Sequence, residues 1–159
     1  GRNRGAEYVF KVTKVYREAL DAIKKKRFNP ELVARGTETL KEVYNKDFST
    51  GFLVDYPHHQ RSNVYGSKAT LEKVQLGKVI NFYRNKSVAE FKIEAEGIKI
   101  GNKLAFVGPT TGYVEIEVKE MYTDNGKCHV AGKGTIVAIA VPQKVRENDK
   151  VYLIKKRKN

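Results

Sequence analysis

From Tyr8 the apolar positions Tyr8, Val9, Val12, Val15, Tyr16, Ala19, Leu20 and Ile23 recur with a helical period, one face over about four turns. The basic run Lys24-Lys25-Lys26-Arg27 that follows suits the negative end of a helix dipole. The helix is expected to stop near Phe28, because Asn29 is a good N-cap and Pro30 fits the first position of a second helix. Leu32, Val33, Leu40, Val43 and Tyr44 give that second helix an inner side as far as Asn45. Gly36 weakens its middle by about 1 kcal/mol relative to Ala.

Residues 46–70 hold no sustained period and are rich in Gly, Pro, Ser and Asn, which reads as a connector with docked aromatics. Beyond Lys73 the period becomes two, predicting strands at 74–83, 86–96, 103–107, 112–121, 128–130, 135–140 and 150–155. Turn signals separate them, the strongest being Asp124-Asn125-Gly126. The expected fold class is α+β, an N-terminal helical hairpin packed on a small antiparallel β-barrel. The expected divisions are 1–47 for the helices, 48–72 for the connector and 73–159 for the barrel.

With 159 residues, 40% of them apolar, the chain can bury a core. No apolar run approaches the roughly 20 residues that span a bilayer, so no membrane partner is expected. Cys128 is the sole cysteine, which excludes an internal disulfide and any four-cysteine site, and a reduced, cytoplasmic setting is expected. Because the chain starts at Gly1, it is expected to be part of a longer or processed protein.

The net charge of +13 is uneven. Residues 1–28 carry nine basic against three acidic side chains, residues 29–70 balance, residues 71–154 carry thirteen against ten, and residues 155–159 add four bases. Lys24, Lys25, Lys26 and Arg27, and the tail Lys155-Lys156-Arg157-Lys158, can contact phosphates, or be a solvated helix end and a frayed tail. Tyr56, His58, His59, Arg61, Tyr65, Tyr83 and Arg84 interleave rings with cations, the composition of a single-stranded RNA site, although such rings also pack elements together.

Other chemistry is thin. His58-His59 has no third ligand at metal spacing, and adjacent Cys128 and His129 on a strand point to opposite faces. Val107-Gly108-Pro109-Thr110-Thr111-Gly112 lacks the Gly-Lys-Ser/Thr ending and following helix of a phosphate loop, and reads as a strand connection. Arg17 and Asp21, like Lys14 and Glu18, are spaced for helix-surface ion pairs.

The strand half resembles the second-domain β-barrel of translational GTPases such as elongation factor Tu. The residues that carry this are Lys99-Ile100-Gly101-Asn102-Lys103-Leu104, with Asn where that pattern has Asp, then Met121, Ala131-Gly132 and Gly134. The resemblance implies a barrel scaffold in which Gly101 and Gly108 turn the chain.

The helical half resembles the region after the catalytic domain in the collagenase-like peptidase U-32 family. Gly1-Arg2 matches the end of its Glu-Gly-Arg motif, and Tyr16-Arg17-Glu18-Ala19-Leu20-Asp21 matches its helix motif. Lys46-Asp47-Phe48-Ser49-Thr50-Gly51-Phe52 matches its Arg-x-Phe-Thr-Thr-Gly-Phe element, with Lys46 for Arg and Ser49 for Thr. This implies structural roles for Tyr16, Arg17, Asp21, Thr50, Gly51 and Phe52, with helix one anchored to Thr50 and Phe52 or to an upstream catalytic domain of the same chain. Family members include peptidases and enzymes that hydroxylate RNA, the latter with a four-cysteine iron–sulfur cluster that Cys128 alone cannot hold. The resemblance therefore implies a non-catalytic C-terminal substrate-binding or lid domain, with no cofactor of its own. Its substrate would be tRNA, another RNA or a protein. The alternatives are a free-standing RNA- or ribosome-binding module and a purely bracing domain.

Overall fold

A computed structural model of the chain describes residues 4–46, 48 and 67–157. It divides into two compact units, Gly1–Leu71 with Arg157–Asn159, and Glu72–Lys156. Thr50, Gly51, Phe52, Tyr56, His58, His59, Arg61 and Tyr65 lie outside the described residues, as do Gly1, Arg2 and Lys158.

The first unit holds α1 (Gly5–Lys24) and α2 (Pro30–Glu42). Asn29 caps α2 as its position predicts, its side-chain oxygen accepting from Leu32 N at 2.8 Å with Pro30 beginning the helix. At the other end of the turn, α1 closes with paired backbone bonds, Lys26 N to Ile23 O at 2.9 Å and Arg27 N to Ala22 O at 2.8 Å. That bonding is a Schellman motif, and it puts Lys26 at φ 53°, a position that favours glycine. Gly36 has a packing reason: a Cβ there would lie 3.0 Å from Val15 Cγ1, tighter than an ordinary contact.

Burial on the helices departs from the expected apolar face. Val12, Val15 and Ala19 are half-buried, whereas Val9, Tyr16, Leu20 and Ile23 are exposed, as is Val33 on the expected inner side of α2. Two charged residues are buried instead: Lys11 Nζ lies 2.7 Å from Glu42 Oε2 and 3.8 Å from Glu7 Oε1. Mutual neutralisation lets these groups leave water, and only Val43 near the end of α2 is a buried hydrocarbon side chain among the described residues of this unit.

The second unit is antiparallel throughout. Its strands are β1 (Leu71–Tyr83), β2 (Val88–Lys92), β3 (Ile98–Lys99), β4 (Lys103–Gly108), β5 (Gly112–Glu117), β6 (Met121–Thr123), β7 (Gly126–Cys128), β8 (Val130–Ala131), β9 (Ile136–Ala140) and β10 (Lys150–Lys156). Eight form one sheet in the order β5-β4-β10-β1-β2-β9-β6-β7, and β3 pairs with β8 in a separate ribbon. Bonds from Gly101 N to Val118 O and from Ile100 N to His129 O run from the end of β3 to the residues after β5 and before β8. The α+β class holds, with a ladder that ends at β5 and β7. The expected strand 112–121 is two strands, β5 and β6, because Val118 turns aside to bond Asn102.

One core fills this unit. Leu76, Phe91, Ile93, Ile98, Leu104, Phe106, Met121, Val137 and Val151 are sealed from solvent, with the Phe91 and Phe106 rings edge-on at 6.0 Å. Each such side chain contributes roughly 1.5–3 kcal/mol by leaving water.

Candidate functional site

Register decides which side chains face outward. Residues directly opposite in an antiparallel pair share a face. Asn81 opposes Glu90, Glu90 opposes Ala138, Ala138 opposes Tyr122, and Tyr122 opposes Lys127. One step along, Tyr83 opposes Val88 and Val88 opposes Ala140; one step the other way, Lys92 opposes Ile136. The alternate residues Ala89, Phe91, Met121, Val137 and Ile139 all lie in the core. Asn81, Tyr83, Val88, Glu90, Ala138, Ala140 and Tyr122 therefore stand together on the outward face.

Tyr83 and Tyr122 are each 45% exposed, and between them lie Val88, Glu90, Ala138 and Ala140. Three strand spacings and one residue pair put the two rings' backbones roughly 15 Å apart. Each phenol makes a long contact to a carboxylate, Tyr83 to Glu90 at 3.4 Å and Tyr122 to Glu120 at 3.4 Å. Lys127 donates to Glu120 at 2.6 Å. That hydrogen bond and the attached charge lower the Glu120 pKa and raise that of Lys127. Arg84 and Lys86 follow Tyr83 in a single 3₁₀ turn, and with Lys92 they are exposed. The result is a trough between two aromatic side chains, with small apolar side chains and Glu90 on its floor, Glu120 beside Tyr122, and the exposed bases Arg84, Lys86 and Lys92 at its margin.

The other sequence candidates fall elsewhere. Lys24, Lys25, Lys26 and Arg27 form the capped end of α1 and are exposed. The cleft beside them, about 550 Å³, mixes Lys25, Arg27 and Arg35 with Glu18, Asp21 and Glu31, so it offers no single sign of charge. Arg17 Nε bonds Asp21 Oδ2 at 3.1 Å in an exposed pair of the same helix. Tyr16 lines two apolar grooves, one with Tyr8, Leu40 and Tyr44 and one with Phe28, Val33 and Gly36. The tail is less free than a frayed end. Lys155 bonds Glu96 at 2.7 Å, and this bond raises its pKa; Arg157 bonds the Ser67 carbonyl at 3.0 Å. Cys128 packs against the core while His129 is exposed, as opposite faces require. Among the described residues no three His, Cys, Asp or Glu side chains gather as metal ligands, and no helix is long and apolar enough to cross a membrane.

Sequence reasoning missed Tyr122, which only the Ala138 register brings into line with Tyr83. Its signal was there in part: the turn at Asp124-Asn125-Gly126 with Met121 inward makes Tyr122 outward.

Comparison with known proteins bears on the first unit most directly. The sequence model that describes peptidase family U32 matches residues 1–63. Over 157 residues, 99% of its length, the chain is 36% identical to a collagenase of Porphyromonas gingivalis. Over 158 residues it is also 36% identical to an uncharacterized protease of Methanocaldococcus jannaschii. It spans 38% of the length of each. A solved C-terminal domain, from a Geobacillus thermoleovorans protein assigned to the U32 peptidases, aligns with 52% of the chain and 91% of its own length. That alignment has 15% identity and a TM-score of 0.45. The match of the family model to residues 1–63 bears out the U32 resemblance read from Tyr16-Arg17 and its neighbours.

Proposed function

We propose that this chain is a non-catalytic, C-terminal substrate-binding and lid segment of a collagenase-like U32 peptidase. The observation that carries the reading is 36% identity to a collagenase across 99% of the chain, while that protein extends well beyond the match. The catalytic domain would lie upstream in the same polypeptide, and the lone Cys128 suits a cytoplasmic protein. The trough between Tyr83 and Tyr122 supplies the binding role. Extended peptide strands, including polyproline II segments, are held by aromatic-lined grooves that need little ordering of the ligand. Both rings are exposed, so replacing them leaves the core intact.

The test is gelatin hydrolysis by the full-length polypeptide carrying Tyr83→Ser and Tyr122→Ser. The KM is expected to rise about tenfold, equal to roughly 1.4 kcal/mol, with kcat unchanged. An unaltered KM refutes the assignment of substrate to this trough.

RNA is the second polymer with specific support, since Arg84, Lys86 and Lys92 rim the same rings and the chain carries +13 overall. Binding of tRNA across a salt series, with an acidic polymer as competitor, separates the two. A steep fall of affinity with salt that survives the competitor favours RNA, and makes a hydroxylase parent or a free-standing RNA-binding module the better reading.

A further inference from the structure

We infer that the exposed apolar stripe of α1 is an interface, packed in the longer polypeptide against the part of the U32 domain that lies outside this chain. This rests on the reading of the chain as part of a U32 protein. Tyr16, Leu20 and Ile23 follow one another at i, i+4 and i+7 and so share one face of α1. They are 62%, 63% and 55% exposed. Phe28 and Val33, both about half exposed, extend the apolar surface to the start of α2, which has no fully buried residue. Meanwhile the same helix buries Glu7 and Lys11. A helix pair that hides a charge cluster and shows Leu, Ile and Phe to solvent is missing a partner.

Three observations name the occupant. The family match, residues 1–63, lies wholly inside the helical unit and takes in α1 and α2 but none of Glu72–Lys156. The relatives carry more than half their length outside the match, which leaves ample chain to cover the stripe. A second copy fits worse. In a two-fold contact the same surface of residues 1–28, with nine bases against three acids, would meet another copy of itself. The covering surface should therefore be apolar with an acidic margin.

Amide hydrogen exchange of α1, in the full-length polypeptide and in residues 1–159, tests this. The full-length protein is expected to exchange at least tenfold more slowly along 16–23. Leu20→Asp with Ile23→Asp should abolish that difference while leaving the melting midpoint of residues 1–159 unchanged. Equal exchange in the two wild-type polypeptides overturns the inference. So does a dimer of residues 1–159 that Leu20→Asp disperses, because the stripe then belongs to a second copy. Neither readout involves substrate, so a failed gelatin assay with a protected α1 would remove the trough and keep the interface.

Discussion

Adding one methyl group at Gly108 should be among the most damaging changes in the sheet unit. A Cβ built there would sit 1.7 Å from Asp149 Oδ1 and 2.5 Å from its Cγ. Asp149 is 4% exposed, and its other oxygen accepts from Thr111 Oγ1 at 2.5 Å and from Arg146 N at 2.7 Å. Its backbone is held as well: Val79 N donates to the Asp149 carbonyl and Asn148 N to the Val79 carbonyl, both at 2.9 Å. The carboxylate thus joins the β4–β5 turn to the turn before β10, while the main chain fastens the latter to β1. In Gly108→Ala it must swing away and give up both hydrogen bonds. Hydrogen bonds to a charged group contribute roughly 1.5–3 kcal/mol each, so the expected loss is about 4 kcal/mol. Against a total stability of about 5–15 kcal/mol that is severe.

Urea unfolding followed by near-ultraviolet circular dichroism reads the loss as a lowered midpoint with an unchanged slope. For a slope of about 2 kcal/mol per molar the midpoint falls by about 2 M. The decisive comparison is Gly108→Ala placed on Asp149→Ala. With the carboxylate already gone the methyl has room, and its further cost should be under about 1 kcal/mol. The difference is the coupling between the two sites. If Gly108→Ala alone loses less than about 1 kcal/mol, or if it loses as much without the Asp149 carboxylate as with it, the packing argument is wrong.

Three further outcomes follow from single contacts. Lys26→Gly relieves the left-handed backbone at the end of α1 and should raise stability by about 0.5–1 kcal/mol in thermal melts. Lys11→Met removes the buried ammonium that lies 2.7 Å from Glu42 and 3.8 Å from Glu7, and should cost the helical unit about 3 kcal/mol in far-ultraviolet circular dichroism melts. The Glu120–Lys127 bond lowers one pKa and raises the other, so its contribution is present between the unfolded carboxylate and lysine values. It is lost as pH falls through the lowered Glu120 value, or rises through the raised Lys127 value. Melting midpoints of Glu120→Gln and the unaltered chain should differ at neutral pH, converge at both extremes, and converge also in high salt.

What the sequence discloses is set by the range of the interaction. Asn29-Pro30, the helical period of 8–23 and the Asp124-Asn125-Gly126 turn act within a few residues, and α1, α2 and the β6–β7 hairpin stand where those signals put them. Gly108-Pro109 was legible as a turn, but the need for glycine there comes from Asp149, which is distant in sequence and has no local signature. The apolar stripe of α1 shows the same limit from another side. Periodicity finds Tyr16, Leu20 and Ile23 on one face, but it cannot say what lies across from them, and the burial of Lys11 depends on Glu42 from the next helix. The trough depends on register most of all. Tyr83 and Tyr122 share a face only because Glu90 opposes Ala138 and Ala138 opposes Tyr122, and a slip of one residue in β9 would send Ala138 inward and Val137 out. The sealed positions of Val137 and Ile139 fix that register. The side chains that build the core therefore also decide which two rings share the outward face.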